Sequence, residues 1–162
     1  KKHEAFEKLI QTQDEKVALL QSHGRKLVEQ NHYDSANIQT VLKDVVEHRR
    51  KVVNLCAVRK QKLVDALLYA QFVSDCAEAE AWISEKLKKL EVDDSYTDVT
   101  SLEDKIKKLQ KHQSFQAEVA ANEQRIKQIQ DKGDRLIKKK HESSEEIRQA
   151  VRNVLKFWNQ LV

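Results

Sequence analysis

Residues 37–91 read NIQTVLKDVVEHRRKVVNLCAVRKQKLVDALLYAQFVSDCAEAEAWISEKLKKLE, with no glycine, no proline and no cluster of turn formers. A seam of three- and four-residue steps runs through Ile38, Leu42, Val45, Arg49, Val52, Cys56, Arg59, Leu63 and Ala66. It continues through Ala70 and Phe72 to Cys76, Ala79, Trp82, Ile83 and Leu90. Alternating steps of that kind are a heptad pattern, in which one face of a helix meets partner helices along its whole length. The stretch therefore predicts a single helix on the order of 50 residues and ~80 Å. A helix so long has to leave one bundle and enter the next.

The flanks of this stretch repeat each other at a spacing of 109 residues. Lys2-His3-x-x-Phe6 returns as Lys111-His112-x-x-Phe115, and the only two glycines, Gly24 and Gly133, fall at matching points. Ile10 matches Val119, Val17 matches Ile126, Leu20 matches Ile129 and Leu27 matches Leu136. The correspondence runs on through His32 and His141, Ile38 and Ile147, Leu42 and Val151, and Val45 and Val154. Even the exceptions recur: an amide, Gln13 or Asn122, holds one seam position and a glycine another. Glycine inside a helix costs about 1 kcal/mol relative to alanine, so its return at one phase points to close helix approach or a bulky neighbour. One structural unit is used twice in an array.

One polar interruption in each unit separates two of its helices. Gln30-Asn31-His32-Tyr33-Asp34-Ser35 offers Asp34 and Ser35 as caps. Lys138-Lys139-Lys140-His141-Glu142-Ser143 plays the same part, with Ser143 and Glu146 at capping-box spacing. Loops this short make the helices they join antiparallel neighbours. A further turn is expected at residues 92–98. Ser101 and Asp104 are then spaced to cap a helix over residues 102–139, and a last helix starts near Ser144 and carries Ile147, Val151, Val154, Trp158 and Leu161.

Composition agrees with long amphipathic helices. Charged residues make up 35% of the chain, hydrophobic ones 40% and aromatics only 6%. The net charge of +4 comes from interleaved acids and bases, which is not the one-faced basic patch of a nucleic-acid binder. No apolar run is long enough to span a membrane. No cleavable signal is read, and the chain opens on Lys-Lys-His-Glu as a fragment or a processed piece would. Cys56 and Cys76, if on one helix, stand ~30 Å apart and cannot pair, which fits a reduced, intracellular protein.

Three further motifs carry a resemblance. Phe72-x-x-Asp75-x-x-x-x-Glu80-Ala81-Trp82-Ile83-x-x-Lys86 resembles the first helix of a spectrin repeat. Asp94-Ser95-Tyr96-Thr97-Asp98-Val99-Thr100-Ser101-Leu102 followed by Lys111-His112-Gln113-Ser114-Phe115 is similar to that family's turn and second helix. Leu155-x-x-Trp158-x-x-Leu161 resembles its third helix. The likeness is closer to the spectrin chains than to dystrophin or alpha-actinin, because the Lys-His-x-x-Phe and Asp-Ser-Tyr motifs are intact. It implies an all-α fold of tandem three-helix, left-handed coiled-coil bundles joined by a continuous helix. On this alignment residues 1–70 are a partial repeat with helices B (1–31) and C (34–70) and no helix A. Residues 71–162 are a repeat with helix A (71–91), helix B (101–140) and a shortened helix C (144–162). Trp82 and Trp158 are its expected core tryptophans. Arg49 stands where Trp158 stands in the second unit. Either its stem packs while its charge reaches solvent, or the first bundle closes less tightly there.

Nothing in the sequence points to catalysis. No His-x-x-His, His-Glu-x-x-His or carboxylate cluster at ligand spacing occurs, and two isolated glycines cannot form a phosphate loop. His3 and His112 belong to a repeated motif and read as packing or helix-start residues; Cys56 and Cys76 read as buried structural thiols. No catalytic residue, metal or cofactor is expected. The surface candidates are of two kinds. Phe6, Ile10, Val17, Leu20, Leu27, Ile38, Leu42, Val45 and Val52 form an apolar stripe that can accept a helix. Arg49, Arg50, Lys51, Arg59 and Lys60, with Lys138, Lys139 and Lys140, are basic contacts open to calmodulin, an acidic lipid surface or a partner. The simpler reading of these bases is a solvated helix face, and for the lysine triplet a helix end favoured by the dipole. The resemblance implies a structural rod segment at the cytoplasmic face of membranes. Such a segment spaces and cross-links actin and membrane-associated partners, with no nucleic acid involved. The alternative is a binding module within that rod, for an ankyrin-like adaptor, calmodulin, lipid, another spectrin chain or a second copy of itself.

Overall fold

The structure, a computed structural model, describes residues 1–93 and 101–162. Five helices follow one another: α1 (Lys2–Thr12), α2 (Asp14–Glu29), α3 (Ser35–Asp93), α4 (Leu102–Lys138) and α5 (Ser144–Leu161). No strand occurs among the described residues. The expected long helix is there as α3, 59 residues without a break. It extends through Asp93, slightly past the point where a turn was expected; the rest of that turn, and the Asp94–Thr100 part of the motif, lie outside the described residues. Two compact units divide the chain, Lys1–Val64 and Asp65–Val162.

The second unit has a closed core drawn from three helices. Phe72, Cys76, Ala79 and Ile83 come from α3, Ile126, Ile129 and Leu136 from α4, and Ile147, Val154 and Leu161 from α5. Phe72, Ile83, Ile147 and Val154 are the most completely enclosed, and each contributes about 2 kcal/mol by leaving water. No polar or charged residue is buried among those described. Along the α3–α4 edge, Asp75 pairs with Lys132 at 2.6 Å, Glu78 with Arg125 at 2.8 Å, and Lys86 with Glu118. The α4 partners fall at steps of seven, where a heptad puts its flanking charges. Solvent-exposed pairs contribute at most about 1 kcal/mol each, and each of these has at least one partner open to solvent. They fix register more than they add stability.

In the first unit α1 and α2 face the first part of α3. Gly24 is the one buried residue of α2, and only Cys56 joins it as buried on the α3 side. The segment read as one helix B is broken at Gln13, whose N–H bonds back three residues to the Ile10 carbonyl. The cause lies across the groove, where the Arg49 guanidinium donates to that same carbonyl at 3.0 Å and pairs with Asp14. The arginine competes for the acceptor that a continuous helix would give to the Asp14 N–H.

Both repeated features have a local explanation. A Cβ on Gly24 would lie 2.6 Å from Leu42 Cδ1, and one on Gly133 would lie 2.7 Å from Val151 Cγ2. Leu42 and Val151 are themselves repeat partners, so each glycine makes room for the same neighbour. The interhelical turns repeat just as closely. Asn31 and Lys140 adopt left-handed backbone, with φ of 54° and 55°. In each turn the next histidine N–H reaches back to a leucine carbonyl, His32 to Leu27 at 3.1 Å and His141 to Leu136 at 3.3 Å. Paired with the Asn31–Val28 and Lys140–Ile137 bonds, this is a Schellman ending.

The histidines then start the following helix. His32 Nδ1 accepts from the Asp34 N–H at 3.2 Å, and His141 Nδ1 from the Ser143 N–H at 3.1 Å. Ser35 and Ser144 hydroxyls donate to the carbonyls of the same two histidines. The expected capping box of Ser143 and Glu146 does not form, because the Ser143 side chain makes no cap bond. The imidazole occupies the Ser143 N–H instead. Asp34 accepts from the Asn37 amide at 3.1 Å. The Ser101 cap is present: its hydroxyl accepts from the Asp104 N–H at 3.1 Å and donates to that carboxylate at 2.6 Å.

Candidate functional site

The two tryptophans meet in the second unit. Their ring centroids are 6.4 Å apart with planes inclined by 27°, a stacked contact between α3 and α5. Both are half-buried and pack against the core rather than lying at its centre. Lys86 crowns Trp82, with Nζ 5.7 Å from the ring centroid, a cation–π contact braced by the ion pair to Glu118. Tyr69 stacks on His141 at 5.0 Å, which locks the histidine turn against α3.

The apolar stripe of the first unit lies on α1, α2 and the first part of α3. Ile10, Val17, Ile38, Leu42 and Val45 are half-buried between those helices. Phe6, Leu20, Leu27 and Val52 remain 39–47% exposed. Not one of the nine is fully enclosed, in contrast to their repeat partners Ile126, Ile129, Leu136, Ile147 and Val154 in the second unit. Two helices can shield each other's seam but cannot enclose it. Among the described residues no third helix encloses this face.

The basic candidates differ in their surroundings. Arg49 turns inward to Ile10 and Asp14, with a side chain only 18% exposed. Lys60 pairs with Glu7 at 3.1 Å and Lys51 with Glu47 at 3.0 Å. Arg50 and Arg59 are exposed. Lys138, Lys139 and Lys140 are exposed in the second unit, and the left-handed backbone of Lys140 belongs to the turn.

Cysteine chemistry is subdued in the second unit and more interesting in the first. Burial pushes the Cys76 thiol up to about 11, with Glu80 and Asp75 adding to the effect. Such a thiol stays protonated and unreactive at neutral pH. Cys56, also free, faces α1, where its Sγ lies 3.8 Å from His3 Nε2. The same imidazole nitrogen is 3.9 Å from Glu7 Oε1. Sequence spacing could not reveal this trio, because Cys56 is 53 positions from His3 and only the packing of α3 on α1 joins them.

No helix among the described residues is long and apolar enough to cross a membrane. The profile of the spectrin repeat family matches residues 1–65 and again 67–162. Over 161 residues, 99% of this chain, the sequence is 33% identical to spectrin alpha chain, erythrocytic 1 of Mus musculus. It is 32% identical to spectrin beta chain, non-erythrocytic 5 of Homo sapiens and 27% identical to spectrin beta chain of Drosophila melanogaster, with the same coverage. The chain spans only 6%, 4% and 7% of the lengths of these three relatives. The family is structural and non-enzymatic. The matched profile, the three-helix core and the twice-used turn agree: the chain belongs to the spectrin repeat family.

Proposed function

We propose that this chain is a spacer segment of a spectrin-type rod. It sets the distance between parts of a longer protein that engage actin and membrane-associated adaptors at the cytoplasmic face. The observation that carries this reading is α3. Residues 35–64 belong to the first unit and residues 65–93 to the second, so one helix supplies both. A helix has no soft dihedral between turns, since every backbone hydrogen bond holds the next. Its hydrogen-bonded backbone is the link through which tension would reach either core.

The test is Leu67→Pro. Leu67 is 58% exposed, so little packing is lost. Proline removes one helical hydrogen bond and clashes with the preceding turn, at a cost of about 3 kcal/mol. Both tryptophans lie in the second unit, so their fluorescence follows that unit, whereas far-UV circular dichroism follows the whole chain. The parent should show coincident transitions and the variant separated ones. A variant that melts in one transition at the parent temperature would remove the basis for a coupling helix.

A second reading rests on the exposure of Phe6, Leu20, Leu27 and Val52. A helix from another spectrin chain or a second copy, laid on this stripe, would complete a three-helix core. Sedimentation should then show mass rising with concentration. A monomer at high concentration counts against it.

A further inference from the structure

We propose that His3, Glu7 and Cys56 form a zinc site between α1 and α3. Among the described residues these are the three side chains whose nitrogen, oxygen and sulfur ligand atoms converge, all within 4.8 Å of one another. His3 and Glu7 are four apart on one helix and present neighbouring donors on one face. Cys56 closes the triangle from the facing helix.

The geometry suits a tetrahedral ion. With Zn–S near 2.3 Å and Zn–N near 2.0 Å, a tetrahedral sulfur–nitrogen pair stands about 3.5 Å apart. The observed Sγ to Nε2 separation is 3.8 Å. Closing the set needs a few tenths of an ångström from that pair and a rotation of the Glu7 carboxylate, now 3.9 Å from Nε2. The donor set of thiolate, imidazole and carboxylate selects a borderline-soft divalent cation over calcium or magnesium. A fourth position is left for water from the open groove beside Cys56, which Glu7, Asp14 and Arg49 also line. Lys60 Nζ straddles the Glu7 carboxylate, 3.1 Å from Oε1, the oxygen that lies 3.9 Å from His3 Nε2, and 3.4 Å from Oε2. It would orient the carboxylate as an outer partner, while its charge limits affinity.

The trio is not a by-product of the repeated motif. In the second unit His112 occupies the place of His3, but Gln116 replaces the carboxylate of Glu7. Cys56 and His3 are also well enclosed, at 8% and, for the side chain, 11% exposure. Binding would exchange the Cys56 thiol proton for the metal, releasing that proton to solvent. The ion would cross-link α1 to α3 in the unit whose core is least closed.

The test uses the full chain with Co²⁺ as a spectroscopic stand-in, then Zn²⁺ as competitor. A tetrahedral thiolate site should give a sulfur-to-cobalt charge-transfer band that saturates at one ion per chain and is erased by Zn²⁺. Cys56→Ser should lose the band and Cys76→Ser keep it, with helix content checked by circular dichroism. His3→Ala and Glu7→Gln should each weaken binding at least tenfold. Should Cys56→Ser fail to fold, alkylation of the parent decides. Zn²⁺ should slow labelling of Cys56 and leave Cys76 unchanged. No charge-transfer band, a band that survives in folded Cys56→Ser, or labelling of Cys56 indifferent to Zn²⁺ overturns the proposal.

Discussion

Replacing each glycine by alanine should have different outcomes in the two units, a loss at Gly133 and little change at Gly24. In a helix interior the change gains about 1 kcal/mol, so any loss has to come from the neighbours of the new methyl. At Gly133 that methyl would lie 2.7 Å from Val151 Cγ2, 3.3 Å from Phe72 Cε2 and 3.5 Å from Ile147 Cγ2. Ordinary carbon contacts are about 3.5–4.0 Å, so the first is short by roughly 1 Å. Val151 is β-branched and stiff at χ1, while Phe72 and Ile147 are only 1% and 0% exposed. None of the three can yield without moving a helix. Overpacking of this kind costs about 1–3 kcal/mol, so Gly133→Ala should lose about 1 kcal/mol net. At Gly24 the short contacts are all to the Leu42 side chain, 2.6 and 2.9 Å to its terminal methyls and 3.0 Å to Cγ. That side chain is half-buried and borders an open groove with Gln21 and Val46. A rotamer change costs about 0.5–1.5 kcal/mol, which the helix propensity gain offsets.

Thermal unfolding read by tryptophan fluorescence isolates the second unit. Gly133→Ala should lower that midpoint by about 4–8 °C, the scale for a domain of this size. Gly24→Ala should leave the circular-dichroism curve nearly unchanged. If Gly133→Ala is neutral or stabilising, or if Gly24→Ala loses as much, close approach is not why glycine recurs.

Lys140 holds a left-handed φ of 55°, which costs a non-glycine residue about 1 kcal/mol. Lys140→Gly should stabilise the second unit by about 0.5–1 kcal/mol by denaturant unfolding, whereas Asn31→Gly, replacing a residue that tolerates this backbone, should change little. Equal effects at both turns would contradict the strain argument. A second expectation concerns Cys76, whose thiol is held near 11 by burial while an ordinary thiol ionises near 9.0. Above pH 9 the unfolded chain loses a proton that the folded chain keeps, so stability present below pH 9 is lost as pH rises toward 11. The full loss is on the order of 3 kcal/mol. Cys76→Ala should flatten the slope of unfolding free energy between pH 9 and 11, and identical slopes would refute the shift.

The sequence carried the architecture because its signals were periodic. The uninterrupted seam of residues 37–91 became α3, and Ser101 became the cap of α4 as its spacing to Asp104 suggested. What escaped were interactions that depend on two distant segments meeting. Ser143 and Glu146 have the spacing of a capping box, but His141 captures the Ser143 N–H first. Nothing in local pattern tells a capping histidine from a spacer. The convergence of His3, Glu7 and Cys56 escaped for the same reason.

Arg49 shows most clearly how the two units part. Its repeat partner Trp158 stacks on Trp82, which the second unit draws from the opening of its own first helix. Within the first unit Arg49 has no such ring beside it among the described contacts, and an indole there would lack its stacking partner. The guanidinium finds the Ile10 carbonyl and Asp14 instead, and the helix breaks at Gln13 as that acceptor is taken. Sequence reading offered a charge reaching solvent or a looser bundle. The contacts put the charge on the backbone of the neighbouring helix and on Asp14, in a unit that is less closed than the second. Such a hydrogen bond to a charged donor contributes about 1.5–3 kcal/mol, enough to offset one lost helical bond. The repeat is therefore kept at the level of seam, glycine and turn, while the residue at the matched position beside the core, Arg49 or Trp158, differs.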